Sequence, residues 1–401
     1  MSGGENKNDM AEFHQRTQVV RSGLECDETG AVVPPMHLSS TFAFHGFGQK
    51  RTYDYTRSGN PTRDLLACAL AELEEGAGAV VTSTGMSAIT LVGYLIPAGS
   101  RIVGPAEAPV VCALGGISAN RRACTTEDPQ QSWWGQIAGA GCALDSNRFR
   151  VLSFDFLGGS GDTSGPTEGV AFPSISSYDQ AALLVALLDH LGIKSLRAIA
   201  GGSYGGMVAL AFGERYPERV SQLLVIGASD RAHPMSTAWR SVQRRIVRFG
   251  IEVGKSKEGV QLARALAMST YRSSEEFAAR FAGAATQGDQ GFVFPVEDYL
   301  FARGADYAAK YRPESFLCLS ESIDLHRADA SRIFVPTAAV AIREDQLVPL
   351  ADVRTMVARL PSGRLHEISS VYGHDAFLKE CEQLRPIFNA ALGNAAIGAS
   401  T

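Results

Sequence analysis

The feature that most constrains this chain is the run Ala-Ile-Ala-Gly-Gly-Ser-Tyr-Gly-Gly-Met-Val-Ala-Leu at residues 198–210. An apolar stretch enters a glycine pair, Ser203 stands at the turn, two more glycines follow, and an Ala- and Leu-rich pattern of helical character leaves. A strand that turns this sharply into a helix has no room for side chains beside the turning residue, so the flanking positions must be minimal. A serine held there carries its hydroxyl above the sheet edge, and the backbone N–H of Tyr204 is free to donate to an oxyanion. The stretch predicts a strand–turn–helix unit with a nucleophile at its apex.

Composition fixes the setting. At 401 residues the chain can bury a large core and can hold more than one domain. Its 45% hydrophobic and 20% charged residues give the balance of a soluble globular protein. A formal net charge of −5 offers no electrostatic reason to expect nucleic acid or an anionic membrane as partner. The 7 cysteines show neither Cys-x-x-Cys pairs nor metal-ligand spacing with histidine, which predicts reduced thiols, no metal and a cytoplasmic location. Residues 1–16 are polar, lack the apolar core of a signal peptide and are expected to be a disordered tail. No run approaches the roughly 18 apolar residues of a membrane span.

Residues 17–104 have a character of their own. Glycine and proline punctuate residues 29–62 (Gly30, Pro34, Pro35, Gly46, Gly59, Pro61), which predicts extended and looping chain. Leu65, Leu66, Leu70 and Leu73 then fall at helical spacing, which predicts a helix over residues 63–75, started by Asn60-Pro61-Thr62 and stopped at Gly76. Residues 77–85 look like a short strand running into a glycine turn and a second helix. The motifs Gly-Ala-Val-Val-Pro-Pro-Met-His-Leu-Ser-Ser-Thr (30–41), Tyr-Asp-Tyr-Thr-Arg-Ser-Gly-Asn-Pro-Thr-Arg-Asp (53–64), Leu-Ala-Glu-Leu-Glu-Glu-Gly-Ala-Gly (70–78) and Thr-Gly-Met-Ser-Ala-Ile (84–89) resemble the N-terminal part of cystathionine γ-synthase, a pyridoxal-phosphate enzyme of methionine synthesis. The resemblance implies that Tyr55 and Arg57 match residues gripping the cofactor phosphate of a neighbouring subunit. It also implies that the turn at Gly85 and Met86 matches backbone donors to that phosphate, as suits a glycine turn at a helix N-terminus. It ends near Pro105. No Ser-x-Thr-Lys segment for the Schiff-base lysine follows, nor the aspartate that pairs with the pyridine nitrogen, so a retained segment without the cofactor's covalent chemistry is expected. A pyridoxal-phosphate-binding or interaction module is the alternative from a different functional class.

From Pro105 strands alternate with helices, which indicates a parallel sheet. Strands are predicted at residues 109–114, 149–155, 198–202, 220–226, 333–342 and 364–368, a loop and helix-like piece at 133–144, and an amphipathic helix at 177–191 capped by Gly192. Residues 230–329 break the alternation with charged, mainly helical sequence lacking strand signals, which reads as a cap over the site. The serine elbow followed by an acid and then a histidine on loops after late strands is the order of an α/β-hydrolase. Asp345 follows the strand ending at Ile342, and His374 follows the one ending near Ile368. A serine hydroxyl needs an imidazole to remove its proton, and that imidazole needs a buried carboxylate to fix its tautomer. Glu344 or Asp324 remains open as the acid. Backbone N–H groups at Leu114, Gly115 and Tyr204 are the expected oxyanion donors, each worth roughly 3 kcal/mol of activation free energy.

The motifs Gly-Gly-Ser-Tyr-Gly-Gly-Met (201–207), Tyr-Pro-Glu-Arg-Val (216–220), Trp-Arg-Ser-Val-Gln-Arg (239–244), the helix from Ala263-Arg264 to Tyr271-Arg272, and Tyr-Gly-His-Asp-Ala-Phe (372–377) follow in order. Together they resemble the homoserine O-acyltransferases, over roughly residues 105–390. The stretches at 114–118 and 231–234 are most similar to succinyl-transferring members. The resemblance implies an α/β-hydrolase fold with a mostly parallel sheet, helical cap and N-terminal extension. It implies transfer of an acyl group from succinyl-CoA or acetyl-CoA to L-homoserine through an acyl-serine, in methionine biosynthesis, with no bound cofactor and a homodimeric assembly. By the same match Arg244 would bind the amino acid carboxylate and Tyr271 would line the acceptor pocket, unless both only join cap helices. Serine as acceptor, or hydrolysis of small esters or thioesters, remains open. Arg121, Arg122, Arg231 and Arg240 are all candidates for a succinyl carboxylate. Members of the family open with two strands before the one at Val110. Here either residues 79–82 and 88–102 replace them or the sheet starts short.

Overall fold

A computed structural model describes residues 35–56, 59–73, 78–82, 100–124, 132–167, 172–288 and 291–393. The chain divides into two compact units, residues 1–93 and 94–401. Arg57, the turn at Gly85 and Met86, the helix expected after it and the tail 1–16 lie outside the described residues.

In the first unit, residues 35–56 are irregular chain joined by an isolated bridge between Thr41 and Tyr55. Helix α1 (Pro61–Leu73) starts where its punctuation says it should: Asn60 accepts from the Thr62 N–H at 3.0 Å, and proline occupies the first helical position. No residue of α1 is buried. Residues 78–82 form no strand, contrary to the sequence expectation, and Val80 is 77% exposed, so the stretch lacks the half-buried surface that favours β-branched residues in strands.

The second unit is a seven-stranded sheet, β1 (Ser100–Val103), β2 (Val110–Leu114), β3 (Arg150–Phe154), β4 (Ala198–Gly202), β5 (Leu223–Ile226), β6 (Thr337–Ile342) and β7 (Gly363–Ile368), in spatial order β1-β3-β2-β4-β5-β6-β7. All neighbours are parallel except β1, antiparallel to β3 with Ser100 opposite Phe154. Strands β2, β4, β5 and β6 are buried along their whole length, as expected of parallel strands covered on both faces. Strand β1 pairs into this sheet and lies in the second unit. Among the described residues one strand, β1, stands where two were to be replaced.

The helices pack as local signals direct. Helix α2 (Ser177–His190) carries a capping box between Ser176 and Asp179 and buries Leu183, Leu184, Leu187 and Leu188. Helix α3 (Tyr204–Arg215) leaves the elbow, buried from Tyr204 to Gly213. Residues 133–144 contain no helix: glycines at 135, 139 and 141 favour turns, closed by a two-residue parallel pairing of Ala138–Gly139 with Leu144–Asp145. Between β5 and β6 rise the cap helices α4 (Pro234–Glu252), α5 (Ser256–Tyr271), α6 (Ser274–Arg280), α7 (Pro295–Ala308) and α8 (Pro313–Asp324), around a small core of Val247, Val260, Ala263, Tyr307 and Phe316. The cap also holds an antiparallel hairpin, Thr286–Gly288 with Gly291–Val293, which the sequence analysis missed. Its residues are exposed, so no apolar alternation betrays it. Helix α9 (Leu350–Arg359) links β6 to β7, and α10 (Ala376–Lys379) and α11 (Cys381–Leu392) follow β7.

Candidate active site

The chain runs from β2 to β3 on one side and then crosses back to β4 on the other, so the strand order reverses between β2 and β4. Ligand sites of open parallel sheets form at the carboxyl ends of strands at such a reversal. Ser203 stands there. Its backbone, φ 55° and ψ −121°, is the only positive-φ conformation outside glycine among the described residues. Such strain costs about 1–3 kcal/mol and persists where the surroundings enforce it. Here the Ser203 N–H is tied to the Ile226 carbonyl at 2.8 Å and the Gly205 N–H to the Gly115 carbonyl at 2.8 Å. A Cβ on Gly201 would strike the Gly205 carbonyl, and one on Gly205 the Leu114 carbonyl.

Ser203 Oγ lies 2.8 Å from His374 Nε2, and His374 Nδ1 lies 2.6 Å from Asp345 Oδ2. Asp345 is 5% exposed and its Oδ1 accepts from the Leu347 and Val348 N–H groups at 2.8 and 3.0 Å, so the carboxylate is fixed by its own loop. The other two acids are committed elsewhere: Glu344 accepts from the Ser369 hydroxyl and the Ser370 N–H, and Asp324 from Arg240, Arg244 and Thr237. Burial alone would push His374 down, but the charge of Asp345 and its hydrogen bond outweigh that and hold the imidazole above its ordinary value. The histidine's segment is pinned from below, where fully buried Trp134 donates its indole N–H to the Phe377 carbonyl at 2.7 Å.

A cavity of about 270 Å³ opens over this chain of hydrogen bonds, lined by Ser203, His374, Gly116 and cap residues. Tyr204 begins α3, where the first N–H groups have no intrahelical acceptor. Leu114 and Gly115 lie against α3, and Gly116 is the member of that turn in the cavity wall.

Tyr271 is in the wall, its ring centroid 6.0 Å from that of His374. Arg244 is not. Its Nη1 is held by the Ser320 carbonyl at 3.0 Å, the Ser320 hydroxyl at 3.1 Å and Asp324. The donors that the resemblance assigns to a ligand carboxylate are here directed to another helix. The wall instead presents Arg264, held between the rings of Tyr271 and Tyr307 at 4.9 and 4.7 Å, with Nη1 donating to Tyr271 Oη at 3.0 Å. Among the described residues no carboxylate pairs with it. Asp375 lines the same cavity, its Oδ2 accepting from Arg272 Nε at 2.9 Å, and burial raises its carboxyl above the usual range. Neither residue was singled out from sequence. The signal was present, since Arg264 stands two helical turns before Tyr271 and so shares its face, and Asp375 follows His374 directly.

Among the described residues of the first unit, no lysine is placed for a Schiff base with pyridoxal phosphate. Lys50 is the one lysine between residues 35 and 82, its side chain is 70% exposed and its ammonium lies 3.9 Å from Asp54. A Schiff-base lysine needs an enclosed, charge-depleted setting.

The sheet, the elbow and the late-strand loops define an α/β-hydrolase, and the family model described as alpha/beta hydrolase fold matches residues 109–380. A second model, for Cys/Met metabolism PLP-dependent enzymes, matches residues 16–108. Homoserine O-succinyltransferase of Xanthomonas campestris pv. campestris is 43% identical over 73% of this chain and 78% of its own length. Homoserine O-acetyltransferase of Thermus thermophilus is 34% identical over 66% of this chain and 72% of its own. Among solved structures, homoserine O-acetyltransferase from Bacillus anthracis superposes with a TM-score of 0.68 at 19% identity, over 73% of this chain and 91% of that one. The chain belongs to the homoserine O-acyltransferase family and is an acyltransferase.

Proposed function

We propose that the protein transfers a succinyl group from succinyl-CoA to the hydroxyl of L-homoserine by a ping-pong route through Ser203, a step of methionine biosynthesis. The carrying observation is a pair of opposite charges in the wall beside Ser203: Arg264 without a protein carboxylate and Asp375 next to His374. An α-amino acid presents a carboxylate and an ammonium together, and these two residues answer both. The succinyl donor is favoured by the 43% identity to a succinyltransferase against 34% to an acetyltransferase.

In this mechanism His374 Nε2 takes the Ser203 proton as Oγ attacks the thioester carbonyl. Backbone N–H groups at Tyr204 and in the turn of Leu114 and Gly115 receive the oxyanion. The tetrahedral intermediate collapses, the C–S bond breaks and His374 returns the proton to the departing thiolate. Homoserine then enters with its carboxylate on Arg264 beside Tyr271 and its ammonium at Asp375. His374 takes the hydroxyl proton, the new ester forms and Ser203 is regenerated. Asp345 holds the imidazole tautomer and stabilises its charge. The cap keeps out water, which would otherwise hydrolyse the acyl-serine.

The protein is read as cytoplasmic and homodimeric, without nucleic acid or membrane as partner. Free thiols at the 6 described cysteines and the lack of any described helix long and apolar enough to cross a membrane support the location. Exposed Val242, Phe249, Ile251, Val253 and Leu262 on the cap supply an apolar surface for a second copy.

The test crosses succinyl-CoA and acetyl-CoA with homoserine and serine. Homoserine-dependent release of CoA, fastest with succinyl-CoA, is expected, and Ser203→Ala should lower it on the order of 10⁴-fold or more. Equal thioester loss without any acceptor would make the protein a hydrolase instead.

A further inference from the structure

We propose that the protein carries a second ligand site, at the end of the sheet opposite Ser203, where Arg364 and His366 take a short aliphatic monocarboxylate. The site shares no residue with the cavity over Ser203, so it stands or falls apart from the acyl-transfer reading.

A cavity of about 300 Å³ opens at the amino ends of β5, β6 and β7. Alternate residues of a strand share a face, and the strand β7 shows what that face is for. Ile368 joins the core that holds Val340, Ile387 and Phe388, while Leu365 packs on the opposite core. The remaining positions of the Ile368 face are Arg364 and His366, and both line the cavity. Polar residues thus stand where a strand covered by a helix ordinarily continues its apolar run. Across the cavity α11 presents Ala390 and Ala391, and β6 sets Ala338 opposite Arg364. Side chains that small leave the space unfilled.

Both polar groups lack a protein partner. Among the described residues neither the Arg364 guanidinium nor the His366 imidazole makes a hydrogen bond or a salt bridge. Two nearby arginines show the contrast, since Arg343 and Arg354 both pair with Glu367, a residue of the other face of β7. No carboxylate lines the cavity. Burial, and then the charge of Arg364, hold the His366 imidazole below its ordinary value, so at neutral pH it is an uncharged donor. Arg364 is then the one formal charge of the wall.

These features define the ligand class. One positive charge answers one negative charge, which favours a carboxylate over a phosphate group of about −1.5 to −2. A carboxylate is also the planar group that meets a guanidinium fork with two parallel hydrogen bonds. Ile387, Ala390 and Ala391 supply the apolar side of the cavity, against which a short alkyl chain leaves water. The strand β7 is an edge of the sheet, and a charge there also deters pairing with another chain. That role needs Arg364 but neither His366 nor a cavity.

The experiment follows the δ1-methyl signal of Ile387 by methyl NMR of the full chain, assigned through its loss in Ile387→Val. Ile387 lines this cavity and not the one over Ser203, so the signal reports on the proposed site alone. The titrants are butyrate, butyramide, which has the same chain without the charge, and inorganic phosphate. A saturable shift with butyrate is expected, with Kd on the order of 1–10 mM because Arg364 is exposed to competing water. Butyramide and phosphate should bind at least about 10-fold more weakly, and Arg364→Gln should weaken butyrate by about 10-fold or more, the range of a lost charged hydrogen bond. His366→Leu should weaken it by about 2- to 10-fold. Arg364 has no partner to lose, so Arg364→Gln should melt and turn over as the wild type does, which separates lost binding from a lost fold. Should it melt early, His366→Leu carries the test. No saturable shift up to about 100 mM butyrate, equal butyrate affinity in the wild type and both variants, or phosphate or butyramide binding as tightly as butyrate overturns the site.

Discussion

Burial would favour a neutral His374, and Asp345 reverses that preference. A general base works only when unprotonated, so the sign is fixed: with the imidazole held above its ordinary value of about 6.5, activity rises with pH through a limb displaced to the alkaline side of that value. Asp345→Asn should move the limb to lower pH and cut kcat by up to about 10⁴-fold, because an amide supports the wrong tautomer. A pH profile of kcat/KM for both proteins reads this. A limb that stays in place in Asp345→Asn would remove Asp345 from the role. Ser203, Asp345 and His374 were legible because each sits at a local signal, a glycine turn or a loop after an apolar strand. Which of Arg244 and Arg264 lines the cavity was not. That depends on the rotation of two cap helices and on Asp324, 80 residues beyond Arg244 in sequence, and no local pattern encodes it.

At the scale of elements, the first turn of α3 passes so close to the end of β2 that Gly205 cannot carry a side chain. Gly205→Ala should therefore cost about 1–3 kcal/mol or more through forced displacement of Leu114. The same displacement moves Ser203 and the oxyanion turn together, so activity should fall with stability. Gly78, with nothing within 4 Å of an added Cβ, is the control and should tolerate alanine. Denaturation midpoints and kcat of the two variants give the comparison, and a Gly205→Ala protein that melts with the wild type would contradict the close approach. The buried parallel strands were readable as apolar runs because both faces are covered. The cap hairpin and residues 78–82 were not, since exposed short segments owe their conformation to pairing rather than to apolar pattern.

For the whole molecule, the decisive fact is where the working parts lie. Every residue of the cavity wall, the three hydrogen-bonded residues beneath it and all seven sheet strands come from the unit that begins at residue 94. The preceding unit matches a different enzyme family and buries no residue of its one described helix. Removing residues 1–93 should therefore leave kcat/KM within about threefold of the full chain, because a compact unit with its own core folds by itself. The proposed dimer should also survive, since the exposed apolar residues offered to a second copy lie on α4, α5 and the turn between them. A cut after residue 107 should behave differently. It deletes β1, whose Ile102 and Val103 pack against the two main cores, and it uncovers the edge of β3. A bare edge next to buried Val151 and Leu152 invites pairing with another chain, so this shorter protein should aggregate or melt earlier. Mass by light scattering and activity, measured on both truncations, separate the two roles. A loss of more than about tenfold in kcat/KM on removing residues 1–93 alone would mean that the first unit takes part in catalysis.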